Sequence, residues 1–180
     1  MKKGILLMLV ALMLVSVLAG CSPGDKGKDQ VKNVDIKEVL DKIKEEMGEY
    51  YYPEMEMDFE FVGEISGIKE EDLEEYIVEF PLMTMSIDRF IAIKAKEGKG
   101  DTIEEGLLEY KRHMIEDEFK YPMNIPKVEA SQVVRHGDYA FYLVLGAHDD
   151  GLEDIESKEA KDFAEKEVAK VVEIIDGFFK

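Results

Sequence analysis

Residues 130–147 read Ala-Ser-Gln-Val-Val-Arg-His-Gly-Asp-Tyr-Ala-Phe-Tyr-Leu-Val-Leu-Gly-Ala. Gly137-Asp138 separates two runs of β-forming residues, which predicts a hairpin with strands over about Ala130–Arg135 and Tyr139–Ala147. The second run is apolar at successive positions rather than at alternate ones. Such a strand has both faces covered, so it is central in a sheet or touches a second layer.

Working outward, the chain before the hairpin predicts a long helix. Asp101 or Thr102 caps it, it runs to about Phe119, and Ile103, Leu107, Tyr110 and Met114 form one stripe that Leu108, Ile115 and Phe119 widen. Pro122 and Pro126 mark its exit loop, and Gly98-Lys99-Gly100 breaks the pattern in front of it. Two strands precede that break, from about Tyr76 to Met83 and from about Arg89 to Lys96, with Pro81 placing the first at an edge or a bulge. After the hairpin, Ser157 caps a helix in which Ala160, Phe163, Ala164, Val168, Val171, Val172, Ile175 and Phe178 recur at helical spacing. Strand, strand, helix therefore occurs twice. The expected fold is α+β, a four-stranded antiparallel sheet with helices packed on one face.

An amphipathic helix precedes these units. Asp35 opens it with Glu38 as a capping partner, Ile36, Val39, Leu40, Ile43 and Met47 share one face, and Gly48 ends it. From Glu49 to Gly67, Met55, Met57, Phe59 and Phe61 alternate with acids, which predicts a short strand or extended segment. A helical turn is expected from about Lys69 to Glu75, where Glu70, Glu71 and Asp72 suit an amino end.

At the amino terminus, Lys2 and Lys3 precede thirteen residues, Ile5 to Val17, in which only Ser16 is polar. A bilayer-spanning helix needs about twenty apolar residues, so this segment reads as an export signal. It ends in Leu18-Ala19-Gly20-Cys21, which resembles the lipobox of bacterial lipoproteins. A cysteine is needed there because its thiolate takes up the lipid. The resemblance implies cleavage before Cys21, palmitate-type acylation of Cys21, and attachment to the outer side of the cell membrane through two or three acyl chains, each contributing about 0.8 kcal/mol per buried methylene. Residues 22–33, with two glycines, a proline and almost no apolar content, read as a flexible tether. The expected organisation is a signal peptide over 1–20, the lipidated cysteine and tether over 21–33, and a single extracytoplasmic domain over 34–180.

Cys21 is the sole cysteine, so no internal disulfide forms in the mature chain. With 41 acidic against 23 basic residues the formal charge is −18, and loss of the two signal lysines makes it two units more negative. That field repels phosphates, so nucleic acid is excluded as a partner. A hydrophobic share of 46% is enough to build a core and argues against disorder.

The succession of lipobox, tether, amphipathic helix, Glu74-Glu75-Tyr76-Ile77-Val78 to Pro81-Leu82-Met83, and Ile87-Asp88-Arg89-Phe90-Ile91-Ala92-Ile93-Lys94-Ala95-Lys96-Glu97-Gly98 resembles the bacterial lipoproteins catalogued as domain of unknown function 4358. The resemblance covers roughly residues 34–150. It implies a small extracytoplasmic domain with no assigned activity and no catalytic residues to carry over.

A search for chemistry yields little. There is no nucleophile elbow, no His-Glu-x-x-His helix and no second cysteine. Gly98-Lys99-Gly100-Asp101-Thr102 lacks the ending of a phosphate loop. His113 and Asp117 share a helix face, and His148-Asp149-Asp150 with Glu153 and Asp154 offers oxygen ligands, but a solvated pair and a solvated loop explain them. Met55, Met57, Met83 and Met85 come in pairs two apart, and thioethers suit soft ions such as Cu(I) as well as ordinary cores. The Tyr50-Tyr51-Tyr52 run could stack on cell-wall sugars or pack in the core. The leading expectation is a non-enzymatic, membrane-anchored binding or interaction domain without a cofactor, with a protein or cell-wall partner. The alternatives are a cell-envelope polymer hydrolase working with carboxylates, and a soft-metal or divalent-cation binding protein.

Overall fold

Six consecutive buried residues form strand β5 (Tyr139–Val144), and they dictate what lies on either side of them. Successive side chains of a strand point to opposite faces. Tyr139, Phe141 and Leu143 therefore enter one apolar cluster, and Ala140, Tyr142 and Val144 enter another. Each large side chain removed from water contributes about 1.5–3 kcal/mol, so both faces must be covered. The computed structural model describes residues 32–83, 85–148, 151 and 154–180. The expectations for the signal peptide, for Cys21 and for most of the tether lie outside the described residues.

β1 (Pro53–Glu56), β2 (Leu73–Pro81), β3 (Arg89–Ala95) and β4 (Gln132–His136) join β5 in one sheet. The order is β1-β2-β3-β5-β4, and every neighbouring pair is antiparallel. The expected four strands are thus five, because the short extended segment at Pro53 pairs with the end of β2, Pro53 opposite Pro81. The register also defines two ends of the sheet. Lys94 and His136 lie opposite Tyr139 at one end, and Arg89 lies opposite Val144 at the other.

The helices do not share one face. α1 (Ile36–Met47) and α5 (Lys158–Phe178) cover Phe90, Ala92, Phe141 and Leu143. α2 (Glu60–Ser66) and α3 (Gly100–Glu116) cover Ile91, Ile93, Tyr142 and Val144. The expected single helical layer is corrected to two, because β3 and β5 are apolar on both sides and neither face can be left to water. α4 (Ile125–Glu129) is a short fifth helix leading into β4.

Local chemistry explains most boundaries. Asp35 accepts from the Lys37 N–H at 2.8 Å and Ser157 from the Ala160 N–H at 3.2 Å, so both expected caps form. The cap at Asp101 or Thr102 does not. α3 starts at Gly100, and the Asp101 carboxylate pairs with Arg135 instead. The helix ends at Glu116, leaving Phe119 exposed. The expected turn over Lys69–Glu75 shrinks to a 3-10 turn at Glu70–Asp72, after which β2 begins. Phe59 and Phe61 are not extended. Phe59, Val62 and Ser66 are buried at helical spacing in and before α2, while Phe61 is exposed.

The Tyr139 end is closed by a clamp between two turns. The Asp138 carboxylate accepts from the Gly98 and Gly100 N–H groups at 3.1 and 3.0 Å. A Cβ at Gly100 would lie 2.2 Å from the Gly137 carbonyl oxygen, so only glycine lets the start of α3 approach the hairpin. The Val34 N–H donates to the Tyr139 hydroxyl at 3.1 Å, which brings the start of the described chain to this same end.

Candidate functional site

The other end of the sheet is open. A cavity of about 420 Å³ lies between the first turns of α5, the loop before β3 and the segment around α4. Its polar floor is formed by Ser86 and Lys127, and behind them lies Asp88, which sits directly before β3 and has no exposed surface. The Ser86 hydroxyl donates to Asp88 Oδ2 at 2.6 Å. Lys127, carried by α4 and only 6% exposed, donates to Asp88 Oδ1 at 3.0 Å and to the Gly146 carbonyl at 2.8 Å. Its third proton meets His148 Nε2 at 3.2 Å. An ammonium has no lone pair, so His148 Nε2 is the acceptor and the ring proton sits on Nδ1. Lys127 also lies 5.6 Å over the Tyr52 ring, which is itself 5.9 Å from the His148 ring.

Gly146 is placed there for a steric reason. Its φ of 140° and the nearness of Glu167, whose Cβ would stand 2.7 Å from a new Cβ, both exclude a side chain. The chain therefore turns sharply after β5 and presents its carbonyl to Lys127.

A second buried pair lies beside the first. Glu79 of β2 accepts from the Tyr51 hydroxyl and from Lys44 of α1, each at 2.7 Å. Burial pushes the Tyr51 phenol far above its ordinary range, and the hydrogen bond and charge of Glu79, with the charge of Asp88 behind it, push the same way. A larger hollow of about 700 Å³ adjoins the cavity. It shares Ala147, His148 and Phe163 with it and adds Glu46, Met47 and Lys170.

The walls of the smaller cavity are apolar. Met83, Met85 and Met123 stand at its mouth, while Pro126, Ile155, Ala160, Phe163 and Ala164 line the interior. Of the four methionines singled out from the sequence, Met83 and Met85 are thus brought together, with Met123 as an unforeseen third. Met55 lies on β1, exposed, and Met57 is half-buried against the α2–α3 cluster. Neither lines this cavity. Among the described residues no group of three or more His, Cys, Asp or Glu side chains is placed to hold an ion. His113 faces Asp117 at 3.4 Å and Glu118 at 3.7 Å on the surface. Of the tyrosine run, Tyr51 points into the core, Tyr50 borders the larger hollow and Tyr52 the smaller.

Sequence reasoning missed Ser86, Asp88, Asn124 and Lys127. The signals were an acid and a lysine set directly in apolar surroundings, Ile87-Asp88-Arg89-Phe90 and Ile125-Pro126-Lys127-Val128. A charge in such a place is buried only when paired. The two lie 39 positions apart, so only the fold could join them.

Chemically, this floor is saturated. Each Lys127 proton has an acceptor, and the Ser86 proton is given to a carboxylate already neutralised by the ammonium. Among the described residues, the arrangement fixes the shape of the cavity floor.

A five-stranded antiparallel sheet between two helical layers, open at one end onto an apolar cavity with a buried ion pair, defines the class of domain. The model of one family, described as Domain of unknown function (DUF4358), matches residues 47–145, and the chain belongs to that family. The match runs from the last residue of α1 to the residue after β5. It includes the whole sheet with Asp88 and Lys127 and stops short of His148 and α5. No curated protein and no solved structure matches the chain.

Proposed function

We propose that this protein is a membrane-anchored extracytoplasmic lipoprotein whose exported domain is a non-enzymatic binding domain, with the cavity at the Val144 end as its ligand site. The anchor is supported by Leu18-Ala19-Gly20-Cys21 behind a thirteen-residue apolar segment. Among the described residues no helix is long and apolar enough to cross a membrane, so the lipid on Cys21 supplies the attachment in this reading. One observation carries the binding role: an apolar cavity of about 420 Å³ built on a charged floor whose polar groups are already satisfied. That volume suits a small ligand or a few side chains.

Two measurements test the reading. Labelled palmitate incorporates into the protein in cells, and Cys21→Ser abolishes incorporation and releases the chain from the membrane fraction. Retention of the label in Cys21→Ser refutes the anchor. For the cavity, the membrane-extracted protein is unfolded thermally with muropeptides, Ca(II), Zn(II), Cu(I) or short peptides. A ligand of the native state raises the transition, by about 2.7 kcal/mol of stability at a hundred times its Kd. The shift disappears in Ala147→Phe, which fills the cavity from its half-buried rim. Absence of a shift with every one of these ligands overturns the binding role.

A further inference from the structure

We infer that the open end of the sheet is a docking surface for a basic polypeptide segment that inserts an apolar side chain into the cavity, an inference that rests on the binding role proposed above. Among the described residues ten large apolar side chains are exposed, and six of them, Leu82, Met83, Met85, Phe119, Tyr121 and Met123, belong to two loops at this one end. The loops are tied together, since the Asn124 amide donates to the Met85 carbonyl at 2.8 Å. The Phe119 and Tyr121 rings meet edge to face at 5.5 Å. A concentration of exposed apolar surface around a cavity marks an interaction site, and flexible thioethers let such a surface adapt to its partner.

Charge selects the partner. Glu116, Asp117 and Glu118 directly precede Phe119, and Asp154, Glu156 and Glu159 flank the cavity residues Ile155 and Ala160. Of the cations nearby, Lys127 is paired with Asp88, Lys161 with Glu129, Arg112 with Glu116 and Lys158 with Asp162, while Lys120 is held by the Ile115 and Glu118 carbonyls and keeps its charge, so acids still outnumber unpaired cations around the rim. The rim is therefore apolar within an acidic surround, which attracts lysine- and arginine-rich chains. A second copy of this protein carries the same strong negative charge and is repelled. An anionic bilayer is repelled for the same reason. Moreover, Asn33 and Val34, near the start of the described chain, sit at the opposite end of the sheet, beside Tyr139.

The test uses the lipidated full chain in nanodiscs of zwitterionic lipid, with empty nanodiscs as background. The probe is a fluorescein-labelled peptide of alternating lysine and leucine, compared with a lysine–serine and a glutamate–leucine counterpart. The lysine–leucine peptide is expected to bind at least about tenfold more tightly than either counterpart, and to weaken by about tenfold as salt rises from about 0.05 to about 0.5 M. Met83→Ser with Met123→Ser weakens it by about tenfold, whereas Leu108→Ser, at an exposed leucine of α3, leaves it unchanged. Equal binding of either counterpart, or no effect of the double variant, overturns the inference. So does binding to anionic vesicles that the double variant abolishes, which would make this end a membrane-contacting surface. If the peptide fails while another ligand still gives a thermal shift that Ala147→Phe removes, the docking inference falls and the binding role stands. If neither binds, both fall.

Discussion

The two ends of the sheet are built on opposite plans. At the Tyr139 end the turns interlock: Asp138 holds two backbone N–H groups, Gly100 abuts Gly137, and the His136 ring stacks on Phe179 at 4.3 Å while its nitrogen meets Asp176. At the Val144 end the strands open onto a cavity with the buried Lys127–Asp88 ion pair beneath it, a partly exposed Lys44–Glu79 pair nearby, and exposed methionines around it. At the first end Asp138 and His136 use their hydrogen bonds to close the fold. At the second, desolvated charge is held in place while apolar surface is left in water, which costs stability that a ligand could restore. In the reading proposed here, stability and recognition fall at opposite poles of one sheet.

The sharpest way to break this contrast is to unpair the buried charges. Asp88→Ala leaves the Lys127 ammonium buried without its carboxylate and is expected to cost about 3–5 kcal/mol in chemical denaturation. Asp88→Leu combined with Lys127→Met removes both charges and is expected to cost less than Asp88→Ala alone. If the double variant is worse, the pair itself is a main support of the fold.

At the closed end, Gly100→Ala forces a methyl against a backbone carbonyl that cannot swing aside. The expected loss is about 1–3 kcal/mol, read as a lower denaturant midpoint with unchanged m-value. An unchanged midpoint would mean that the hairpin and the start of α3 are not locked together.

The buried Tyr51 phenol gives the open end a pH signature. Its folded pKa lies above the ordinary 10.0, so its contribution is fully present below that value and is lost as pH rises beyond it, where only the unfolded chain releases the proton. Stability falling above pH 10 is therefore expected, with a shallower fall in Tyr51→Phe. Identical slopes in the two proteins would show that Tyr51 ionises as readily folded as unfolded.

Smaller effects complete the series. Ser157→Ala removes the cap of α5, worth about 1 kcal/mol, and is checked by thermal unfolding. Met83→Ser with Met123→Ser, on exposed sites, should shift stability by no more than about 0.5 kcal/mol per site. A large loss there would turn the proposed docking rim into part of the core.

What could be read in advance follows the range of the interactions. The caps at Asp35 and Ser157, the stop at Gly48 and the hairpin at Gly137-Asp138 are settled by neighbours in the chain, and each appears as expected. Phe59 and Phe61 misled because alternation with acids imitates a strand, while the packing of Phe59 and Val62 beneath α3 selects a helix. Likewise Asp101 was drawn from its cap by Arg135, 34 positions away. Half of the methionine signal reached the cavity, but the ion pair beneath it gave no spacing that a local pattern could report.

By itself, the sequence determined the export signal as an expectation, the acidic character of the chain, the ends of α1 and the start of α5, and a sheet whose central strand needs cover on both faces. Those are properties of composition and of contacts a few residues long. Only the tertiary structure decided that the helices divide into two layers, that the Pro53 segment becomes a fifth strand, and that Asp88, Lys127, Gly146 and His148 meet. The physical reason is that a buried charge is acceptable only with its partner in place, and antiparallel strand order and helix packing bring that partner from elsewhere in the chain.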